Sequence, residues 1–591
     1  MQGPFGKGSH EKPKDRKKVL RRLAAYMFKF KWWLLLAAAL TIGSNLLQLV
    51  GPTLSGYAID ALAGGAGKVD FEKVFRYAGW MMLFFTGSSV LGYGLSALMV
   101  IISQKVIFAM RRDVFEKLMR LPIHFFDTQQ TGDIISRISY DIDTVNASLS
   151  NDLVQILTSI ITVVGSLLMM IALSAELVLV FVVTVPISLL FTRYMSKRVR
   201  PLFGLRSRKL GEMNGVVEEM VSGQKTIRAY EREDEIVKRF DVSNEDAVQA
   251  YFKADYYGSM MGPSVNFINN LSLAMISVFG ALLYLAGGMS IGNVSSFVLY
   301  SRKFSGPINE AANILSELQS AMAAAERIFR LLDAEEEAPD ASGATVLTHD
   351  VGQVDFQHVS FGYTPEKVIL QDVSLTAKPA NLVAIVGPTG AGKTTLINLL
   401  MRFYDPQKGD ILIDGKSIST LTRASLRGSF AMVLQDTWLF TGSIYENIAY
   451  GAQGATMEKV MEACKAAKIH STIMRLPNGY DTILTEDGGS ISKGQKQLMT
   501  IARAMLQNAN MLILDEATSN VDTRTEIKIR QAMLKLMENK TCFVIAHRLS
   551  TIQNADLILV MRDGNIVEQG THESLMAAEG FYKKLYRAQF E

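Results

Sequence analysis

Five stretches in the first half of the chain carry no charged side chain: 32–59, 77–104, 153–175, 177–192 and 256–301. The last is 46 residues long and is interrupted by the turn-like "LAGGMSIGN" at 285–293, so it is long enough for two helices. A bilayer core takes about 20 apolar residues per helix, and the pattern therefore predicts six spans before residue 330. The alternative, buried helices of a large soluble core, is at odds with apolar runs this long. The connections alternate in length. Apart from 60–75, those on one side are short, such as "LSAE" (173–176). Those on the other side, about 104–150 and 194–255, are rich in helix formers and charges and predict helices that continue well past the bilayer. Each holds a polar break where a short transverse helix fits, "HFFDTQQTGD" (124–133) and "SGQKTIRAYERED" (222–234).

After the helical "ILSELQSAMAAAERIFRLL" (314–332) comes an acidic, proline-containing linker, "DAEEEAPDASG" (333–343), and then a change of period. Apolar runs of strand length, "LVAIVG" (382–387), "ILID" (411–414), "MLILDE" (511–516) and "TCFVIAH" (541–547), alternate with helical patterns. That alternation predicts a mostly parallel sheet with helices on its faces. The chain of 591 residues thus divides into a membrane domain at 1–333, a linker at 334–350 and an α/β domain at 351–591.

Charge sets the orientation. "KPKDRKKVLRR" (12–22) precedes the first span and "KRVRPLFGLRSRK" (197–209) follows the fourth, whereas the short turns have neither Lys nor Arg. The positive-inside bias places the N-terminus and the long charged segments in the cytoplasm. The first apolar run is too long for the core of a cleavable signal. The two cysteines, Cys464 and Cys542, imply no disulfide framework and are compatible with a reducing compartment. The net charge of +4 suits a cytoplasmic leaflet, and no basic stripe interleaved with aromatics points to nucleic acid.

"GPTGAGKTT" (387–395) follows the apolar strand and opens the amphipathic "LINLLMRFY", the setting a phosphate-binding loop requires. Gly387, Pro388, Thr389, Gly390, Ala391 and Gly392 form the loop, whose backbone N–H groups can close around phosphates at a helix N-terminus. Lys393 can reach the β- and γ-phosphates of ATP, the Thr394 hydroxyl can hold Mg²⁺, and Thr395 completes the motif. "MLILDEATSNVD" (511–522) ends a strand in two carboxylates. Asp515 is placed to bind Mg²⁺ through water and Glu516 to orient and polarise an attacking water. Alone these are two solvated acids; beside the loop they read as hydrolytic machinery. His547, ending another strand, reads in this company as a γ-phosphate sensor.

These motifs, in this order, resemble the ATP-binding cassette exporters, and the resemblance covers nearly the whole length as a half-transporter: a six-span α-helical membrane domain fused to one cytoplasmic α/β cassette. It implies that Tyr363 in "FGYT" stacks on adenine and that Gln435 in "VLQDTWLF" contacts Mg²⁺ and water while linking cassette to membrane part. It also implies that Glu486 in "TEDGG" lies near the coupling helices and that Asp522 communicates across a cassette dimer. Ser492, Lys493, Gly494 and Gln495 occupy the signature position, which in such dimers faces the partner's nucleotide.

The family pattern there is Ser-Gly-Gly-Gln, and this chain has a lysine at the first glycine. With its own Walker side intact, the chain resembles one subunit of heterodimeric exporters that pair a competent ATP site with a degenerate one. A homodimer that tolerates Lys493 is the other organisation open. Arg302 and Lys303 fall some 18 Å into the sixth span at about 1.5 Å per residue, with Glu310 two turns on, able to help neutralise them. They are candidates for a substrate cavity, or a structural or water-facing charge group. The resemblance implies alternating access in a bacterial cytoplasmic membrane. The cargo it implies is hydrophobic or amphipathic, as for multidrug exporters; lipid or peptide export and a purely regulatory ATPase subunit are the alternatives.

Overall fold

The computed structural model describes residues 15–63, 69–348, 350–364, 367–435, 437–485, 491–515, 522–545 and 552–590, the side chains of 309, 311–313, 589 and 590 aside. They fall into two compact units. One comprises the described residues up to Leu121 together with Phe126–Glu336; the other comprises Pro122–Phe125 and the described residues from Glu337 onward.

The first unit is entirely helical. Five helical stretches are long and apolar enough to cross a membrane: Lys31–Leu62, Phe71–Leu118, Thr131–Leu173, Ala175–Ser222 and Glu233–Leu285. A sixth long helix, Ile291–Leu332, is not among them, because Arg302, Lys303 and several serines dilute its apolar content. The helices extend far beyond about 30 Å of hydrocarbon, and short helices Ile123–Thr128 and Gln224–Ala229 occupy the polar breaks. Leu179, Leu190, Phe267 and Leu285 are all more than half exposed, an arrangement that suits apolar surroundings and not water.

The short turns are built from local caps. Ser174 accepts from the Leu177 N–H at 3.3 Å and Ser290 from the Asn293 N–H at 3.0 Å, each starting the helix that follows. Asp60, at the end of the first span, reinforces the second of these starts. It accepts from the Ser290 hydroxyl and the Gly292 N–H, both at 2.7 Å. Pro52 would weaken the first span from within. Hydroxyls of the sixth helix supply donors on either side of it, Ser296 to the Pro52 carbonyl and Tyr300 to the Leu49 carbonyl. Toward the other end, Arg327 forks onto Asp141, which is only 3% exposed, through Nε and Nη2. Asp141 closes one of two π-helical turns, Arg137–Asp141 and Ser148–Asp152, in the third helical stretch.

The second unit holds two main sheets. In the larger, the order is Asn565–Gly570, Leu557–Arg562, Leu382–Val386, Thr541–Ile545, Met511–Asp515, Phe430–Val433. All neighbours are parallel except the first pair. Apart from the edge strand Asn565–Gly570, its strands are largely apolar on both faces, and alternate residues serve two different cores. Ala384, Val386, Leu512, Leu514 and Val544 pack with the helix Lys493–Gln507, while Val383, Ile385, Met511, Ile513 and Phe543 pack with the helix Lys393–Leu400. The second sheet is antiparallel: Leu370–Ala377, Val354–Phe361, Lys408–Ile413, Lys416–Ser417. The "ILID" run therefore belongs to this second layer and not to the parallel sheet. A short apolar run fits either layer, and its sequence contains nothing that decides.

Candidate nucleotide site

The loop begins where a parallel strand ends. Ile545 pairs with Ile385 on one side and with Asp515 on the other. The start of the loop, two residues beyond Ile385, and the Asp515 carboxylate therefore share the carboxyl edge of the sheet, where open α/β sheets bind ligands. The turn needs glycine at two positions. A Cβ on Gly387 would strike the Met561 carbonyl, and Gly392 caps the helix at φ +100° with Leu370 Cδ2 2.7 Å from where its Cβ would sit. Pro388, Thr389 and Gly390 are exposed, Ala391 is buried, and Thr394 is exposed in the first turn of the helix.

Lys393 folds back over its own loop, donating to the Gly387 carbonyl at 2.7 Å and the Pro388 carbonyl at 2.9 Å. Burial holds its ammonium below the usual lysine range, and the Asp515 carboxylate opposes that shift. The cradle of N–H groups, the half-buried cation and the in-register carboxylate fit a nucleotide polyphosphate with its magnesium. Tyr363 stands at the rim. Its hydroxyl donates to the Thr395 hydroxyl at 3.2 Å and accepts from Asn398 Nδ2 at 3.1 Å, and its ring meets Phe361 and Tyr404 edge-on. Gln407 clamps the preceding Gly362 through both its N–H and its carbonyl.

Gln435 is exposed just past the strand Phe430–Val433. Two residues absent from the sequence reading hold the segment that follows it. Asn447, 1% exposed, accepts from the Phe440 N–H at 2.8 Å and donates to the Phe440 and Ser443 carbonyls. Arg503 donates to the Asn447 carbonyl at 2.8 Å and to that of Trp438. It reaches there from the helix Lys493–Gln507, and a lone arginine within "LMTIARAML" is the signal that marks it. Ser492 caps that helix in a reciprocal box with Gln495, at 3.3 and 3.0 Å. Lys493 takes the first helical position with its side chain exposed, and Gly494 is buried behind it. Asp522 caps the helix Thr523–Met537, and the Thr525 N–H it accepts draws its carboxyl below the usual aspartate range. Glu486, Glu516 and His547 lie outside the described residues.

In the membrane unit Arg302 is exposed and Lys303 half-buried. Glu310 accepts from Gln155 Nε2 at 2.8 Å, so its bond goes to the third helical stretch instead of the basic pair.

Comparison with known proteins agrees with this geometry. The profile described as "ABC transporter transmembrane region" matches residues 34–308, and that described as "ABC transporter" matches residues 370–519. An uncharacterised ABC transporter ATP-binding protein of Bacillus subtilis, YfiC, is 42% identical over 99% of this chain and 96% of its own. A fatty acid ABC transporter ATP-binding/permease protein of Mycobacterium bovis is 44% identical over 88% of this chain and 82% of its own. The structure of a bacterial Atm1-family ABC exporter with ATP bound superposes with a TM-score of 0.76 at 28% identity, covering 97% of this chain and 99% of that one. The chain therefore has the ABC exporter fold and belongs to the ABC transporter family, with its membrane-spanning and ATP-binding regions fused in one polypeptide.

Proposed function

We propose that the chain is one half of an ATP-driven exporter that moves amphipathic, largely hydrophobic compounds out of the cytoplasm or inner leaflet. The observation that carries the reading is the phosphate cradle with Lys393 bent over it and Asp515 in register, in the same polypeptide as the membrane helices. In this reading the N–H groups of 387–395 and the Lys393 ammonium bind the β- and γ-phosphates, and Tyr363 receives the adenine. Thr394, Asp515 and Gln435 would hold Mg²⁺, which supplies charge neutralisation on the phosphates when bound. Glu516 orients the attacking water and His547 senses the γ-phosphate. Asp522 and Glu486 pass closure on to the partner cassette and to the short helices at 123–128 and 224–229. The cargo class draws support from the relative whose name carries fatty acids.

The exposed Lys493 supports a heterodimer. It stands exposed on the N-terminal turn that would face the partner's nucleotide, where a side chain in place of the family's glycine would crowd the approach of an anion to the backbone N–H groups. The competent cleft then combines this chain's loop with the partner's signature, in a bacterial cytoplasmic membrane with N-terminus and cassette inside. Inverted vesicles holding this chain together with its co-purifying partner half-transporter test the proposal. Uptake of a fluorescent amphipathic dye that requires ATP is the expected result, and ATP consumption without dye movement would contradict it.

A further inference from the structure

The segment 402–407 leads from the helix Lys393–Leu400 to the strand Lys408–Ile413 and is pinned along its length. Arg402, 6% exposed, donates to the Ile418 carbonyl at 2.7 Å, to that of Leu421 at 3.0 Å and to Asp405 at 2.9 Å. The Phe403 N–H donates to the Asn398 carbonyl at 2.9 Å and the Gln407 N–H to the Ser360 carbonyl at 3.0 Å. Tyr404, half-buried between these anchors, therefore stands on a fixed backbone.

Its ring meets three others edge-on: Tyr363 with centroids 5.0 Å apart and planes at 84°, Phe361 at 5.5 Å, and His124 at 6.0 Å and 78°. All three fall within the range of edge-to-face attraction. His124 is exposed in the short helix Ile123–Thr128, and 122–125 belongs to the same compact unit as the cassette. The chain runs from there into the membrane stretches Phe71–Leu118 and Thr131–Leu173. At the other contact, the Tyr363 hydroxyl is tied to Thr395 and Asn398, and Gln407 clamps Gly362. One bracket thus holds the ring on which a base would stack and touches the segment that leads into the membrane helices.

We propose that Tyr404 is a positioning residue for the adenine of ATP, and that through it the occupied Tyr363 ring biases the His124 segment. That segment then responds to the base and not to the triphosphate alone. The assignment deepens the reading of Tyr363 as the adenine platform and rests on it. Coupling is reciprocal, so a change at His124 must alter the adenine's contribution to affinity by the factor with which adenine acts on His124. Spatial order alone does not establish such a path, and the test therefore measures the coupling itself.

The test uses the full chain, in the assembly in which it purifies, in lipid nanodiscs with EDTA to prevent turnover. Calorimetry gives the dissociation constants of ATP and of tripolyphosphate, which has the phosphates without the base. The unaltered chain should prefer ATP by about tenfold or more. Tyr404→Leu should cut that preference about three- to tenfold with tripolyphosphate affinity unchanged, and Tyr404→Phe, which keeps the ring, should retain it. His124→Leu should lower the preference about two- to threefold, and no further in a chain that already carries Tyr404→Leu. A merely structural role would move both ligands together or neither. An unchanged ratio in Tyr404→Leu or in His124→Leu, or equal effects of His124→Leu with and without Tyr404, would overturn the relay and keep the platform. If Tyr404→Leu does not fold, His124→Leu alone decides, because its exposed site leaves the fold intact. Equal affinities for the two ligands in the unaltered chain would sink the platform and the relay with it.

Discussion

Replacing Lys393 by methionine separates two roles that a single loss of function would confuse. In the ligand-free fold the ammonium donates to the Gly387 and Pro388 carbonyls, at about 0.5–1.5 kcal/mol net per bond. The Pro388 carbonyl is exposed and that of Gly387 half-buried, so water can replace the donor at the first and in part at the second. Against that loss, burial already holds the ammonium below its usual range, so the charged form is disfavoured in the folded state and methionine relieves that strain. The opposing effects predict a melting free energy within about 1 kcal/mol of the unaltered chain. ATP binding is different. A charge-assisted bond to phosphate contributes about 1.5–3 kcal/mol, so the dissociation constant should rise roughly 10- to 150-fold. Fluorescent nucleotide titration and thermal unfolding of one preparation measure both. Unchanged affinity would refute the phosphate role. A stability loss above about 2 kcal/mol would show that the lysine holds the loop together instead.

Arg327→Met should destabilise the membrane unit by about 3–5 kcal/mol by leaving the buried Asp141 carboxylate unpaired, and a double change of both residues to leucine should recover most of that in detergent melting curves. Burial pushes the Cys464 thiol up to about 11 and the Cys542 thiol up to about 12. Because the folded values lie above the ordinary one, this contribution to stability is complete below pH 9 and is lost as pH rises through about 11–12. Melts across that window should show the decline, Cys542→Ala should flatten it, and maleimide at pH 8 should leave both thiols unlabelled until the chain unfolds. Lys493→Gly places the family's residue at an exposed first helical position, at a helix cost of about 1 kcal/mol or less. ATP turnover of the assembled pair should rise, by up to about twofold, as the second cleft accepts its nucleotide; an unchanged rate would remove the lysine from the account of asymmetry.

The membrane architecture was legible because charge is excluded from spans so strictly that the runs 32–59 and 77–104 declare themselves. The serines and aspartates that start and pin those helices were readable as turn residues but not as partners; nothing in the sequence joins Asp60 to Gly292. The loop at 387–395 was legible as a tight glycine turn between strand and helix, and Gly387 and Gly392 show the steric reason. The antiparallel sheet was not legible, since "ILID" has the same apolar pattern in either layer. The clamp of Asn447 and Arg503 is a property of helix packing. Its members lie far apart in the chain, and no local period relates them. Glu310 shows the same limit, because helical spacing puts it two turns from Lys303 while packing gives it Gln155.

The central claim is that ATP splitting by this chain's own cleft drives cargo across the membrane. Dye flux and phosphate release measured in the same proteoliposomes, for the unaltered pair and for Glu516→Gln, test it most directly. The account predicts that flux and phosphate release fall together, by about 100-fold or more, with nucleotide binding retained. Dye flux that persists in Glu516→Gln, or phosphate release that persists at the original rate, would contradict it.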